Sequence, residues 1–383
     1  MNSCPPASGL PPHIVVAGAG MLGASIAYHL ARRGARVTVL EKERPAAGTT
    51  SRSFAWINAT FSKEPRAYFD LNMQGIAHWH RLEEELAGEL KVDWSGSVEW
   101  HPPGEAAEAL RKAAQRHQEW GHASAATEGA AAQQELTQRL PHVTPGEVQI
   151  AAYSSQEGAV DAVQAVAVLL DHAQRFGAQV EFPSQVTSLQ LDHGRVCGVV
   201  TPNGEVACDA LVVACGIDTP AVAAMAGVAV PLKDAPGVLI HSTPLPPLTG
   251  PVTLAPKAHF RQYADGRVVA GVDFGGSEVP DATFDYGREL MARAAEYLPA
   301  LPGAALATVS RGQRVMPLDE YPIVGFAAAR PNLYVAAMHS GITLAALMGH
   351  SAATEILEGV RLDYLAPYRL ERFQTAGQPA TLC

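Results

Sequence analysis

The sequence predicts an α/β fold built in two parts. Three observations carry this expectation. Within His13–Leu40 an apolar run, a glycine-rich turn, a helical stretch and a second apolar run follow one another. Two further apolar runs that lead into glycine turns, Asp209–Gly216 and Asn332–Gly341, lie far downstream. The chain has 383 residues, and domains of roughly 100–200 residues suggest two of them.

His13-Ile-Val-Val-Ala17 reads as a buried parallel strand. Gly18-Ala-Gly-Met-Leu-Gly23 follows, a G-x-G-x-x-G pattern. A helix is expected from Met21 to Arg33, with Ala24, Ala27, Leu30 and Ala31 on its packed side. Arg32 and Arg33 suit the negative end of its dipole, and Gly34 suits its cap. Arg36-Val-Thr-Val-Leu40 is the second strand and ends at Glu41. Each part has a task. Gly18 permits a tight turn, Gly20 lets a pyrophosphate approach the backbone, and Gly23 lets helix and strand pack closely. The helix N-terminus offers N–H groups to phosphate oxygens. Glu41 can accept hydrogen bonds from ribose hydroxyls and disfavours a 2′-phosphate, hence NADP. This Rossmann-like unit predicts a dinucleotide without separating FAD from NAD.

Composition narrows the function classes. Apolar residues make up 48% of the chain and charged residues 17%, a globular balance. The net charge of -10 argues against nucleic acid as a partner. No apolar run reaches about 18 residues, so no transmembrane helix is expected. The stretch from Met1 to Pro12 reads as a frayed tail rather than a signal peptide. The five cysteines, Cys4, Cys197, Cys208, Cys215 and Cys383, include no C-x-x-C pair. Reduced thiols in a cytoplasmic protein are the simplest reading. His78 and His80 stand two apart on a helix and splay to different faces. His101, His117 and His122 show no paired ligand pattern, and no metal site is expected.

The segment from Glu41 to Asn58, with Gly48-Thr-Thr-Ser51 at its centre, resembles the region after the second strand in the D-amino-acid oxidase/glycine oxidase/sarcosine oxidase family of FAD enzymes. The resemblance implies that this stretch runs beneath the pyrophosphate and ribityl chain towards the flavin. Ala55 stands where the family carries a glycine, and Phe54, Trp56 and Asn58 either shape a distinctive site or pack the core. Asp209-Ala-Leu-Val-Val-Ala-Cys-Gly216 resembles the family strand that returns to the FAD domain, with Ile217-Asp218 in place of the usual small-aromatic pair. Asn332–Thr343 and the apolar helix to Glu358 resemble the last strand, its glycine turn and the helix that points at the flavin. The implied cofactor is FAD, in a glutathione-reductase-type topology. The implied contacts are Gly18, Gly20, Met21, Leu22, Gly23, Glu41, Lys42, Gly48, Thr49, Thr50, Ser51, Arg52, Val186, Cys215, Gly216, His339, Ser340, Gly341, Ile342 and Thr343. No cysteine matches those that hold flavin covalently in some relatives.

Residues 12–75, 150–222 and 318–383 are expected to form the FAD-binding domain, and 76–149 and 223–317 an α+β substrate-binding domain with a mainly antiparallel sheet. In the second part, Ile76, Trp79, Leu82 and Leu86 mark a helix face, and 111–120 a second helix. Ala123–Ala132 reads as an Ala-rich loop. Turn signals at Asp192–Gly194, Pro202–Gly204 and Asp265–Gly266 predict hairpins.

The resemblance implies oxidation of a small amine or amino acid (primary or secondary, D-amino-acid, glycine or sarcosine-like). The α-hydrogen leaves as hydride to flavin N5, and the resulting imine hydrolyses. The protein then has to position the C–H bond and exclude water. A D-amino acid dehydrogenase fits, with O2, a quinone or a protein as electron acceptor. Arg314 occupies the family position that binds the substrate carboxylate, with a structural ion pair to Asp319 or another acid as the alternative. Arg261 is a second candidate at the pocket edge, and His339 is expected beside the flavin as a contact or as a packed residue. Two other readings stand beside this one. One is a flavin enzyme acting on a 2-hydroxy acid; the other is a flavin-bearing subunit of a hetero-oligomer. A homo-oligomer is equally compatible.

Overall fold

The computed structural model describes residues 11–272 and 282–373. Cys4, Cys383, the first ten residues of the expected tail and the segment after 373 lie outside the described residues.

The N-terminal unit forms as its sequence dictates. β1 spans His13–Ala17, α1 spans Met21–Arg32 and β2 spans Arg36–Leu40. β1 and β2 pair in parallel, with Ile14 opposite Val37 and Ala17 opposite Leu40. They lie inside a six-stranded sheet ordered Ile323–Ala327, Arg330–Ala337, Ala210–Val213, β1, β2, Gln179–Glu181. Only Ile323–Ala327 runs antiparallel to its neighbour. All four residues of Ala210–Val213 are buried, as expected of a strand covered on both faces. α1 packs between the helices Ala162–Arg175 and Ala345–Glu358. A Cβ at Gly349 would stand 2.2 Å from Ser25 Oγ, so glycine sets how closely the last helix approaches α1. The helix Ala162–Arg175 starts at Asp161, whose Oδ1 accepts from the amides of Val163 and Gln164.

A second sheet of eight strands is ordered Leu306–Gln313, Pro236–Ser242, Val268–Gly271, Ala258–Gln262, Val252–Ala255, Ser97–His101, Ile150–Ser154, Ser124–Glu128. Its pairs are antiparallel except Val252–Ala255 against Ser97–His101. The three predicted hairpins form.

Several expectations shift. The strand Ile150–Ser154 pairs in the eight-stranded sheet, so the expected boundary at 150 falls inside that sheet. The helix with Ile76, Trp79 and Leu82 begins at Arg66, and those three side chains belong to the core beside α1 rather than to the second sheet. The Ala-rich stretch is no loop. Ser124–Glu128 is an edge strand, and the helix Gly129–Arg139 follows at once. Alanine carries little β propensity, and pairing with Ile150–Ser154 decides its conformation. The second helix starts earlier than expected, at Glu105, and ends at Glu119.

Candidate active site

The parallel strands of the first sheet all end on one side, where ligands of open α/β sheets sit. β1 ends at Gly18, β2 at Glu41, Ala210–Val213 runs into Cys215 and Gly216, and Arg330–Ala337 runs into His339. A cavity of about 640 Å³ opens there and extends under the second sheet. That volume suits a sizeable organic ligand.

The glycine loop is built by close contacts. Gly18 has φ +101°, and a Cβ on it would stand 2.4 Å from the Ala214 carbonyl oxygen. A Cβ on Gly23 would stand 1.9 Å from the carbonyl oxygen of Gly18. The Met21 amide donates to Thr50 Oγ1 at 3.1 Å, which ties the loop to the Gly48–Ser51 segment. Thr49 Oγ1 donates to the Gln313 carbonyl at 2.8 Å and ties the same segment to the second sheet. Glu41 accepts from the Ala19 amide through Oε2 (2.9 Å) and from the Glu43 amide through Oε1 (3.0 Å). A carboxylate has further lone pairs for ribose hydroxyls. Lys42 Nζ pairs with Asp218 at 2.7 Å at the rim.

At the other end the turn after Arg330–Ala337 is clamped from two sides. Trp79 Nε1 donates to the Ile342 carbonyl at 2.9 Å, and the Asn58 amide donates to Thr343 Oγ1 at 3.1 Å. A Cβ on Gly75 would meet the Thr343 carbonyl at 2.6 Å, so this face of the helix is fitted to the turn. Glu157 holds the preceding loop. Its Oε1 accepts from the amides of Ala59 (2.8 Å) and Thr60 (2.9 Å) and from Thr60 Oγ1 (2.8 Å), and its Oε2 accepts from Ser97 Oγ (2.6 Å). Burial still raises its pKa above the usual carboxylate value.

Three basic side chains meet here. Arg314 lines the cavity and donates through Nη1 to the Pro236 carbonyl. A Cβ on Gly237 would stand 2.7 Å from its Nη2. Asp319, the alternative partner expected for it, pairs instead with Arg372, with Nε to Oδ2 at 2.6 Å. Lys63 is buried and donates to Ser340 Oγ at 2.7 Å, and the same oxygen lies 2.7 Å from Tyr68 Oη. His339 sits beside both cations. Burial first, then the charges of Lys63 and Arg314, push its pKa down to about 3, so the imidazole is neutral at working pH.

Most of the expected contacts converge on this cavity: Gly18, Gly20, Met21, Leu22, Glu41, Lys42, Gly48, Thr49, Thr50, Arg52, Val186, Cys215, Gly216, Arg314 and the run His339–Thr343. Three do not. Gly23 stands behind the wall and serves helix packing. Ser51 turns its Oγ back to the carbonyls of Ala47 and Gly48, 3.2 Å from each. Arg261 is 3% exposed and does not line the cavity. Its Nε donates to the Phe54 carbonyl at 2.7 Å and its Nη2 to the Val160 carbonyl at 3.0 Å, while its plane lies over Tyr263. This arginine joins segments instead of binding a ligand, because both carbonyls would otherwise be buried without donors. Phe54, Trp56 and Asn58 line the cavity. Ala55 adopts φ +55°, the conformation that makes glycine the usual choice there. Lys63, Ser184 and Arg311 also line the cavity and went unforeseen, since single polar residues in loops carry no periodic signal.

The residues fit a dinucleotide cofactor. Among buried polar atoms of the described residues, Asn58 Oδ1 and Ser184 Oγ have no protein hydrogen-bond partner. Both residues line the cavity, at opposite ends of the run from Glu41 to Thr343. Such atoms call for a ligand or water.

Comparison with known proteins gives the same answer. Residues 13–355 match the DAO family, described as FAD dependent oxidoreductase. An opine oxidase subunit of Agrobacterium tumefaciens is 27% identical over 384 residues, covering 94% of this chain and 97% of that protein. 4-Methylaminobutanoate oxidase (formaldehyde-forming) of Paenarthrobacter nicotinovorans is 27% identical over 383 residues. There the match covers 91% of this chain but 44% of the longer relative. The fold is similar to glycine oxidase from Geobacillus kaustophilus, with TM-score 0.83 and 24% identity over 94% of this chain and 99% of that one. It is also similar to L-proline dehydrogenase from P. horikoshii, with TM-score 0.84 and 22% identity over 95% of this chain and 98% of that one. The glycine loop, the acidic end of β2 and the turn at Gly341 line one cavity, and the chain is a member of the DAO family of FAD-dependent oxidoreductases.

Proposed function

We propose that the chain oxidises a small amine or amino acid that carries a carboxylate, at a C–H bond next to nitrogen. The observation that carries this is the grouping of Arg314 with neutral His339 at the end of the cavity nearest Gly341. FAD, when bound, supplies the acceptor for the hydride that the substrate carbon gives up. Glu41, the loop at Gly18–Leu22, Thr49, Thr50, Val186 and the turn Gly341–Thr343 hold it. Arg314 binds the substrate carboxylate, where a guanidinium gives two parallel hydrogen bonds. His339 stays neutral and avoids adding a third charge beside Lys63 and Arg314. Phe54, Trp56 and Leu239 wall the space against water. The amine substrates named for 4-methylaminobutanoate oxidase and glycine oxidase support this reading. Anaerobic mixing of the yellow protein with glycine, sarcosine, N,N-dimethylglycine, L-proline or 4-(methylamino)butanoate tests it. Loss of the oxidised flavin band is expected with at least one amine; loss only with a 2-hydroxy acid defeats it.

The match to nearly the whole of the opine oxidase subunit favours a second reading, a flavin-bearing subunit of a larger assembly. Reduction by an amine in the isolated chain, without further turnover with O2 or a quinone, would point to such a partner. Among the described residues, no helix is long and apolar enough to cross a membrane. Cys197, Cys208 and Cys215 are free thiols, which supports a reducing, cytoplasmic setting.

A further inference from the structure

Lys63 is a buried amine that the carboxylate-binding role does not use. It is 6% exposed and lies on the cavity wall beside the turn at Ser340. Among the described residues, no carboxylate lies within ion-pair distance of its Nζ. Its hydrogen bond goes to the neutral hydroxyl of Ser340, and its Nζ sits 5.5 Å from the centroid of the Tyr68 ring. The charged groups around it come from three elements. Glu157 acts from the strand side at a distance, with its oxygens already held by four donors. His339 faces it from the turn, with Arg314 beyond; Tyr68 faces it from the helix Arg66–Glu85.

An ammonium in such a place is poorly solvated. Burial lowers the Lys63 pKa to about 8, and the charge of Glu157 only partly opposes this. Lysine amines displaced in this way serve as general bases. The chemistry of the proposed reaction needs one. An alkylamine titrates at ~10.4, so at pH 7 about one molecule in 2,500 is free of its extra proton. Only that form has the nitrogen lone pair that assists loss of hydride.

Resting on the amine-oxidising reading above, the geometry points to Lys63 as the base that takes the proton from the substrate's ammonium. The substrate N–H bond breaks, its electron pair stays on the substrate nitrogen, and the proton forms a new bond to the uncharged Nζ. No electrons change hands in this step. Ser340 Oγ, shared between Lys63 and Tyr68, holds Nζ in place on a residue that lines the cavity.

The test is the pH profile of anaerobic flavin reduction, with the amine that bleaches the wild-type protein best. A wild-type kcat/KM that rises through pH 8 and stays high to about pH 10 is expected. In Lys63→Met, or Lys63→Gln if the first variant is unstable, the rise moves to the substrate's own value near ~10. The loss at pH 8 is then about 100-fold. Lys63→Arg should not rescue it, because a guanidinium keeps the charge and cannot accept a proton. Rescue by Lys63→Arg, or an unshifted profile in Lys63→Met, overturns the inference while the amine reading stands. Failure of every amine to bleach the wild type removes the reading itself. A second readout needs no turnover. Binding of pyrrole-2-carboxylate, followed by the flavin spectrum, should change less than about threefold in Lys63→Met. A loss above about tenfold would make Lys63 an anion-binding cation instead.

Discussion

Two regions of the molecule bury ionised side chains, and they treat them in opposite ways. Behind the first sheet Arg369 and Glu355 pair directly, with Nη1 at 2.8 Å from Oε2 and Nη2 against Oε1. Tyr334 Oη and the Leu362 amide donate to the same carboxylate, and the carbonyls of Val324 and Leu362 take further bonds from Arg369. At the cavity, Lys63 rests on a hydroxyl and His339 is kept neutral beside two cations. The first cluster is closed by protein groups; the second faces a space where something else binds. The closed cluster holds the fold, and the open one is where the proposed chemistry is located. Arg261 belongs with the closed class although it lies near the site, because two backbone carbonyls use its guanidinium.

Substitutions can break this contrast. The largest effect on stability is expected from Arg369→Leu, which leaves the buried Glu355 carboxylate without its cation. A loss of about 3–5 kcal/mol in denaturant unfolding is expected. Loss below about 1 kcal/mol would mean that the pair is no closed structural unit. Arg314→Ala should do the reverse: unfolding changes little, while KM for carboxylate substrates rises by an amount worth roughly 2–5 kcal/mol. An unchanged KM removes Arg314 from the site. Arg261→Leu should cost about 1–3 kcal/mol of stability through its two orphaned carbonyls and leave KM where it was. A raised KM with normal stability would return it to the pocket. The smallest effect belongs to Ala55→Gly. Relief of the left-handed conformation at φ +55° should stabilise by up to about 1 kcal/mol, read as a higher Tm.

Titration sharpens the same comparison. The folded His339 pKa, about 3, lies below the free value of 6.5. Stability from its neutral form is present above pH 6.5 and is lost as pH falls from there towards 3. His29 (about 3) and His78, His117, His122 and His241 (each about 4) act in the same direction. Tm should therefore fall between pH 7 and pH 5. His339→Asn should make that fall shallower, and an unchanged slope would place the imidazole in water.

Local pattern made the cofactor half legible. The strands at His13–Ala17 and Arg36–Leu40 formed at the bounds their periodicity gave, and the helix between them ended one residue short of its expected end. The glycines work where a Cβ would collide. The second half was less legible. Ser97–His101 and Ser124–Glu128 became strands because Ile150–Ser154 lies between them in the sheet, which no local signal announces. The site was legible where a glycine turn or an arginine stood in a recognisable segment. Lys63 was not, because its chemistry comes from burial and from Ser340, 277 positions away in sequence. Arg261 misled for the same reason: its neighbours Phe54 and Val160 are remote in the chain.

FAD-dependent oxidation of a small amine in this cavity stands or falls with one experiment, anaerobic titration of the purified protein with the five amines named above. A yellow protein is expected, whose oxidised flavin band is lost in proportion to one of these amines. A colourless protein that binds NAD, or a yellow one that only a 2-hydroxy acid bleaches, would contradict it.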